Sequence, residues 1–293
     1  MEETVHIPVM LREVLEALDP KPGQRIVDGT LGGGGHTRAI AERVAPDGVV
    51  VGLDRDPRAI DFVASKLKGM PILLVESNFS ELEEVLDQLQ MDKVDGLLLD
   101  LGLSSDQLAD DRRGFSFHSD GPLDLRFNTE EGTPASYLVN TMKESNLADL
   151  IFEYGEERYS RRIARKIVEC RREKKIETAR ELAEIVRRCV PRSPRETIDR
   201  ATRTFQALRI AVNREMESLE KILREIPYCV RPGGKVAIIS FHSLEDRRVK
   251  DAFRENSAYR SVTKKPILAD TEEIHRNPRS RSAKLRVAEI AGD

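Results

Sequence analysis

The sequence predicts an α/β fold in which helices pack on a parallel sheet, with a helical domain inserted before the last part of that sheet. Short apolar runs recur about every 25 residues in the first third of the chain, separated by polar, helix-compatible stretches. They end near Asp28, Asp54, Glu76 and Asp100. The next convincing strand begins only at Lys235, a gap far longer than a normal crossover connection. These two observations predict a doubly wound sheet with an insertion after its fourth strand.

The elements of the sheet domain follow in order. The four runs RIVDG, VVVGLD, ILLVE and GLLLD are predicted strands, and KVAIISF is the late one. HTRAIAERVA and DPRAIDFVASKL place apolar residues three and four apart, which predicts helices. In the second of these, Asp56 offers an N-cap and Pro57 the first helical position. After the third strand, Ser80 and Glu83 fit an S-x-x-E capping box.

The insert is predicted to be helical. ARELAEIVRRCV and RRIARKIVECRRE both show apolar positions three and four apart. The insert is expected at 107–203, and the sheet domain at 1–106 and 204–293. This division agrees with a length that suits about two domains of roughly 150 residues.

Composition indicates a soluble, highly charged globular protein. Of the 293 residues, 39% are hydrophobic and 34% are charged, and the formal net charge is −3. No apolar run approaches the ~20 residues that a transmembrane helix needs. The acidic start of the sequence lacks the basic residues of a signal peptide. We therefore expect a cytoplasmic protein.

The cysteines predict neither disulfides nor a metal centre. Cys170, Cys189 and Cys229 are odd in number and far apart, without CxxC spacing. We expect them to be reduced and structural, and we expect no bound metal.

The insert differs from the rest of the chain in charge. Between Glu156 and Arg203 there are 16 Lys and Arg residues and nine Asp and Glu residues, an excess of seven positive charges in a chain that is acidic overall. A basic face suits a polyanionic partner, and a solvated helix surface with i,i+4 ion pairs explains the charge equally well. The segment from His275 to Arg286 adds five Lys and Arg residues and no acid, which favours RNA or DNA as the partner.

The stretch DGTLGGGGH, from Asp28 to His36, predicts a ligand-binding turn between the first strand and the following helix. It lacks the GK[ST] of a nucleoside-triphosphate site, which leaves a dinucleotide or S-adenosylmethionine as ligand. Asp54 is placed to bind the ribose of either. Asp28 would repel a pyrophosphate but could accept hydrogen bonds from the ammonium group of a methionine moiety. With the departure from GxGxxG, this favours S-adenosylmethionine over NAD, and we expect only the ligand to need the space at Gly34.

Three further side chains are candidates at the same edge of the sheet. Phe79 follows the third strand, and an adenine-facing role is favoured over a hydrophobic staple because the staple partner would be the polar Glu84. Asp100 ends the fourth strand, where a buried structural carboxylate is the alternative to a ligand contact. His242 follows the late strand, and a structural role is as well supported as a catalytic one.

Several motifs together resemble one known family. They are VDGTLGGGGH, LDRDP, LLLDLGLSSDQL, RGFSF, DGPLDLR, YGEERYSRRIARKIV, TRTFQALRIAVN and SFHSLEDRRVK. The chain is similar to the bacterial 16S ribosomal RNA cytosine-N4 methyltransferases, often called MraW or RsmH. The resemblance implies a class I (Rossmann-like) S-adenosylmethionine-dependent methyltransferase with an inserted α-helical RNA-recognition domain, which methylates the 4-amino group of a decoding-region cytosine.

The resemblance also implies a set of cofactor contacts. They are Gly34, Gly35, His36, Asp54, Phe79, Asp100 and Gln107. Gln107 enters through the resemblance alone, whereas the turn and the strand ends indicate most of the others independently. Rival interpretations are an NAD-dependent oxidoreductase and a non-catalytic RNA-binding assembly factor.

One segment departs from amino-methyltransferases in general. Many carry an Asn/Asp-Pro-Pro-aromatic motif after the fourth strand, but here the sequence continues from Asp100 as Leu-Gly-Leu. The ring that stacks on the base must therefore come from elsewhere, and Phe115, Phe117 and Phe241 are candidates. Asp100 is the first candidate for a catalytic acceptor of the amine hydrogens, and His242 is a weaker one.

Overall fold

The computed structural model describes residues 7–104, 107–108, 110–117, 119–192 and 198–292. The chain forms two compact units, which we call the sheet unit and the insert unit. The sheet unit comprises Met1–Ser104 and Met216–Asp293, and the insert unit comprises Ser105–Glu215.

The sheet unit contains one eight-stranded sheet. Its strands are β1 (Arg25–Asp28), β2 (Val49–Asp54), β3 (Ile72–Glu76), β4 (Val94–Asp100), β5 (Val230–Ser240), β6 (Tyr259–Ser261), β7 (Ile267–Leu268) and β8 (Lys284–Ile290). The strand order is β3-β2-β1-β4-β5-β8-β6, with β7 also paired to β8. The first five strands are mutually parallel, and β8 runs antiparallel to β5. All five predicted strands are confirmed, and β5 begins earlier than Lys235.

The strand register brings the predicted acidic residues to one edge. Asp28 is paired with Gly52 of β2 and with Leu98 of β4, so these three strands end close together. The chain leaves β1 toward β2 on one side, and it leaves β4 toward β5 on the other. In an open α/β sheet, ligands bind beyond the carboxyl ends of the strands at such a switch point.

Helices cover both faces of this sheet. They are α1 (Leu11–Leu18), α2 (Gly35–Val44), α3 (Pro57–Lys66), α4 (Leu82–Gln88), α10 (Glu215–Cys229), α11 (Ser243–Glu255) and α12 (Thr271–Arg276). Successive strand residues point to opposite faces: Val27 packs in the core with α4, α10 and α11, while Ile26 packs with α1 and α2. The continuous apolar runs of the sequence therefore reflect burial on both sides.

Local capping matched one prediction and overturned another. The Asp56 side chain accepts a hydrogen bond from the Arg58 backbone, with Pro57 at the start of α3, as predicted. The capping box expected at Ser80 and Glu83 is wrong. Asn78 caps a 3₁₀ helix, Phe79–Glu81, by accepting a hydrogen bond from the Ser80 backbone, so Ser80 lies inside that helix.

The insert unit is helical, as predicted. Its α-helices are α5 (Ala135–Thr141), α6 (Glu144–Gly155), α7 (Ser160–Glu173), α8 (Ala179–Cys189) and α9 (Thr202–Asn213). We had assigned residues from 204 onward to the sheet domain, but α9 packs on α6 within the insert unit. On α7 the buried face includes Ile163 and Ile167, and Arg161 is exposed.

The cysteines are free thiols, as expected. Cys189 and Cys229 are buried, and burial raises the pKa of the Cys229 thiol to about 12, which keeps it protonated and unreactive. Among the residues that the structure describes, no helix combines the length and apolar character needed to span a membrane.

Candidate active site

The glycine-rich turn between β1 and α2 is fixed by backbone hydrogen bonds to both neighbouring strands. The Gly29 amide donates to the Leu98 carbonyl of β4 at 2.9 Å, and the Leu31 amide donates to the Leu53 carbonyl of β2 at 2.8 Å. The turn therefore lies at the switch point of the sheet, where sequence analysis placed it.

The expectation that only a ligand needs the space at Gly34 is wrong. Gly34 is buried and has a left-handed backbone (φ +75°), which an L-residue adopts only at a cost. A Cβ atom there would lie 2.9 Å from Cγ2 of Val63 in α3. At Gly35 a Cβ would lie 3.1 Å from the Pro8 ring. The protein's own packing therefore requires glycine at 34 and leaves little room for a side chain at 35.

Gly32 is less crowded than Gly34 and Gly35. Its φ is +48°, and the nearest atom to a Cβ built there is Cβ of Ser104, at 3.7 Å. Its amide donates to Oδ2 of Asp54 at 2.9 Å. A Cβ would therefore meet less of the protein at Gly32 than at Gly34, and contact of Gly34 and Gly35 with a cofactor stays a prediction.

Asp28 organises the turn from inside. Its side chain is 1% exposed; Oδ2 accepts a 2.6 Å hydrogen bond from the Thr37 hydroxyl, and Oδ1 accepts one from the Thr30 amide at 3.2 Å. Burial raises the pKa of this carboxyl above its ordinary value. Its expected role as an acceptor for a ligand ammonium stays a prediction.

Asp54 ends β2 with both carboxylate oxygens hydrogen-bonded to backbone. Oδ2 accepts from Gly32 and Oδ1 accepts from Asp56, each at 2.9 Å. Burial outweighs these bonds and raises the pKa of Asp54 to about 6. Each oxygen keeps a second lone pair, so the carboxylate can still accept hydrogen bonds from ligand hydroxyls.

Asp100 and His36 form a buried pair with unfilled hydrogen-bonding capacity. His36 Nε2 lies 3.7 Å from Asp100 Oδ2, beyond hydrogen-bond length. Within the described part of the chain, neither imidazole nitrogen has a hydrogen-bond partner, and nor does Asp100 Oδ1. Burial opposes the charged imidazolium, but the carboxylates of Asp100 and Asp28 outweigh it and raise the pKa of His36. Buried polar atoms are normally satisfied, so this pair fits a site that receives a polar ligand.

The Asp100 backbone connects this pair to the turn. The Asp100 amide donates to the Thr30 hydroxyl oxygen at 2.6 Å. The Thr30 amide in turn donates to Oδ1 of Asp28. The carboxyl ends of β1 and β4 are thus held together through one threonine side chain. Sequence analysis did not single out Thr30, because its role depends on a contact between strands far apart in the chain.

Phe79 and Gln107 lie in different surroundings. Phe79 begins the 3₁₀ helix after β3 and is half-buried. Its Cβ would lie 3.1 Å from a Cβ atom built on Gly29. It therefore flanks the turn at the same edge as Asp54. Gln107 is a half-buried residue of the insert unit. Contact of either side chain with a cofactor stays a prediction.

His242 is the N-cap of α11. Its Nδ1 accepts a hydrogen bond from the Glu245 amide at 3.4 Å, and its Nε2 lies 3.1 Å from Oε1 of the same residue. Glu245, 2% exposed, in turn accepts from the Phe241 amide at 2.8 Å. The Nδ1 contact gives His242 a structural role as a cap, whereas Nε2 makes no hydrogen bond with any described residue, so a catalytic role stays a prediction.

The three aromatic candidates for base stacking are not equivalent. Phe115 is 5% exposed and packs with its ring centroid 6.1 Å from that of Phe127, so it is a core residue and not a free stacking surface. Phe117 makes an edge contact with Phe205 in the insert unit. Phe241 is half-buried beside Gly102, at the end of β5. Its position at the edge of the sheet keeps it as the candidate from the sheet unit.

The chain is similar to several known proteins. An rRNA methylase of solved structure from Streptococcus thermophilus superposes with a TM-score of 0.44 at 10% identity, covering 96% of this chain and 94% of that one. Ribosomal RNA small subunit methyltransferase H of Trichlorobacter lovleyi is 45% identical over all of both chains. The protein of the same name from Rhodopirellula baltica is 49% identical, covering 98% of this chain and 91% of the relative. The profile of the MraW methylase family matches residues 3–291. With nearly the whole length matched, this chain belongs to the MraW methylase family.

Proposed function

We propose that this methyltransferase uses S-adenosylmethionine to methylate the exocyclic 4-amino group of a cytosine in the decoding region of 16S ribosomal RNA. Its relatives of known name are small-subunit ribosomal RNA methyltransferases. The observation that carries the proposal is the buried Asp100–His36 pair with unfilled hydrogen-bonding capacity, placed where β1, β2 and β4 all end in aspartate. A cytoplasmic location fits this substrate.

The residues at this edge fit the polar groups of S-adenosylmethionine. The Asp54 carboxylate would accept hydrogen bonds from the ribose hydroxyls, and the lack of a side chain at Gly32 would let the ligand approach the backbone. Phe79 would lie against the adenine. Asp28, His36 and Asp100 would hold the methionine end, and Gln107, Gly34 and Gly35 complete the proposed set. When bound, the cofactor supplies an electrophilic methyl group on a sulfonium.

The chain's own contribution to the reaction is mainly positioning. The cytosine amine is a poor nucleophile because its lone pair is delocalised into the ring. A carboxylate that accepts its hydrogens favours the pyramidal and more nucleophilic form, and Asp100 Oδ1 is a buried acceptor without a partner among the described residues. The enzyme must hold the amine about 3 Å from the methyl carbon in a dry site.

This arrangement also provides an acceptor for the proton that the methylated amine must lose. With the amine held by Asp100, the cofactor, when bound, would supply the methyl group and keep the electron pair of its carbon–sulfur bond on sulfur. The extra proton on the nitrogen then passes to the Asp100 carboxylate. The His36 imidazole lies 3.7 Å from that carboxylate and would help to orient it.

The insert unit is the proposed RNA-recognition element. On α7, the side chains of Arg161, Arg162 and Arg165 are exposed, opposite the buried face of the helix. Arginine suits phosphate recognition because its guanidinium can make two parallel hydrogen bonds. Reaching a paired base would require flipping it out of the helix, whereas a loop or junction base costs less.

Tritiated methyl transfer to small ribosomal subunits from a strain lacking the enzyme tests this function. Nucleoside analysis should find N4-methylcytidine, and Asp100→Asn should lose most of the rate while unfolding at the same denaturant concentration as the parent. Calorimetry should detect S-adenosylmethionine binding and none of NAD. Methylation at another atom, or no transfer, would contradict the proposal.

A further inference from the structure

The segment Asp270–Ser282, which we call the rim segment, lies at the same edge of the sheet unit as the candidate active site. It comprises α12 and a 3₁₀ helix, Pro278–Ser282. It leads into β8, whose first residue, Lys284, is paired with Ser240 at the carboxyl end of β5. Because β5 runs parallel to β4, this pairing places the rim segment near the strand end that carries Asp100.

The rim segment is bonded to the chain that covers the glycine turn. The Met10 amide donates to Oε1 of Glu273 at 2.6 Å, and the buried Asn277 side chain donates to the Ile7 carbonyl at 3.1 Å. Between these two contacts, Pro8 packs against Gly35. One side of the rim segment is therefore fixed to the wall of the turn.

The other side is bonded to the loop that follows Asp100. The Arg279 guanidinium donates to the Leu103 carbonyl. The next residue, Ser104, is the nearest neighbour of a Cβ atom built on Gly32. Arg279 thus joins the rim segment to the loop that borders the proposed ligand space.

Two cations of this segment are directed to solvent and have no strong acidic partner among the residues that the structure describes. Arg281 is exposed. Arg276 is 67% exposed, and its closest carboxylate, on Glu272, is 3.7 Å away, an exposed pair worth little. By contrast, Lys284 and Arg286 share the single carboxylate of Asp246, at 3.1 and 2.7 Å, so one of their two positive charges is already compensated.

We propose that Arg276 and Arg281 bind phosphates of the RNA strand on either side of the nucleotide that enters the active site. This inference rests on the proposed function, since it takes RNA as the substrate. Phosphate contacts set the register and orientation of a nucleic acid without reading its sequence. A rigid mount is needed for that purpose, and the bonds from Glu273, Asn277 and Arg279 supply it.

Salt dependence of the reaction on small ribosomal subunits distinguishes a phosphate contact from a structural role. The slope of log kcat/KM against log salt concentration should fall by about 0.7–0.9 for Arg281→Gln, and by about twice that when Arg276→Gln is added. Arg281→Lys should keep the slope of the parent, since it keeps the charge. Arg25→Gln is the matched control, an exposed arginine at the opposite edge of the same sheet. Calorimetric affinity for S-adenosylmethionine should be the same in all variants.

Three results would overturn the inference. They are an unchanged salt slope in the double variant, an equal loss of slope in Arg25→Gln, and weakened S-adenosylmethionine binding or a lowered Tm in Arg281→Gln. If the parent enzyme methylates small subunits while the rim variants behave like it, the proposed function stands and only the rim contact fails. If the parent transfers no methyl group to them, the proposed function fails first.

Discussion

The pKa of Asp54 predicts a specific pH dependence of cofactor affinity. Burial holds this carboxyl protonated up to about pH 6 in the free protein. Because the pKa of Asp54 is raised in the folded protein, its protonated form stabilises the fold at low pH. That stabilisation is lost as the pH rises through about 6. Ribose hydroxyls that donate to the carboxylate favour the ionised form instead. Cofactor binding should therefore release a proton near pH 6 and strengthen as the pH rises.

The magnitude follows from the fraction of Asp54 that is ionised. If only the carboxylate form binds, affinity at pH 5 should be about a tenth of its value at pH 8, and about half of it at pH 6. Asp54→Asn removes the titration and a charge-assisted hydrogen bond. It should bind S-adenosylmethionine more weakly by about 1.5–3 kcal/mol at pH 8, with a much flatter profile.

Calorimetry at half-unit steps from pH 5 to pH 8 measures both effects. Repeating the titration near pH 6 in two buffers of different ionisation enthalpy also reports the number of protons released. The Asn variant separates Asp54 from Asp28 and His36, whose pKa values are raised as well. A parent profile that is flat over this range, or an Asn variant with the parent's affinity, would refute the reasoning.

Three further outcomes are expected. In denaturant titrations, Gly34→Ala should lower the free energy of unfolding of the ligand-free protein by about 1 kcal/mol from backbone strain and by about 1–3 kcal/mol from the contact with Val63. Gly69→Ala is the control, because Gly69 has a positive φ but open space around it, so only the strain should lower its stability. His242→Ala should lower stability by about 0.5–2 kcal/mol, while His242→Asn should keep the cap and full methyl transfer; a large rate loss in Asn would restore a catalytic role. On α7, a variant with Gln at four basic positions should show a partly flattened salt dependence of RNA binding and unchanged cofactor affinity: Arg161, Arg162, Arg165 and Lys166. An unchanged salt dependence would show that this helix is only a solvated face.

The parts of the site that sequence analysis predicted depend on local order along the chain. A strand that is buried on both faces has a continuous apolar run, and the first polar residue after it marks the strand end. Asp28, Asp54 and Asp100 were found in this way. Parallel pairing then aligns those ends, so their proximity followed without any knowledge of side-chain contacts.

The parts that could not be predicted depend on contacts between distant segments. Gly34 appeared to serve a ligand because nothing in the local sequence shows that Val63 fills the space beside it. For His242 the sequence supports a structural and a catalytic role equally, because histidine is an uncommon N-cap and its contact with Glu245 is not evident from the sequence. The boundary at 203 was too early because the apolar face of α9 suits either unit equally well.

Some residues of the turn and the Asp100–His36 pair stabilise the fold, and others remain able to bind a ligand. Asp28, Thr30 and the two glycines at 34 and 35 are occupied by the protein's own hydrogen bonds and packing. Substituting them should therefore damage folding along with binding. Asp54 and Asp100 keep acceptor capacity that the described chain does not use, and their substitution should damage binding or transfer with little effect on folding. Unfilled hydrogen-bonding capacity, more than position in the glycine motif, separates the residues that act on a ligand from those that shape the space for it.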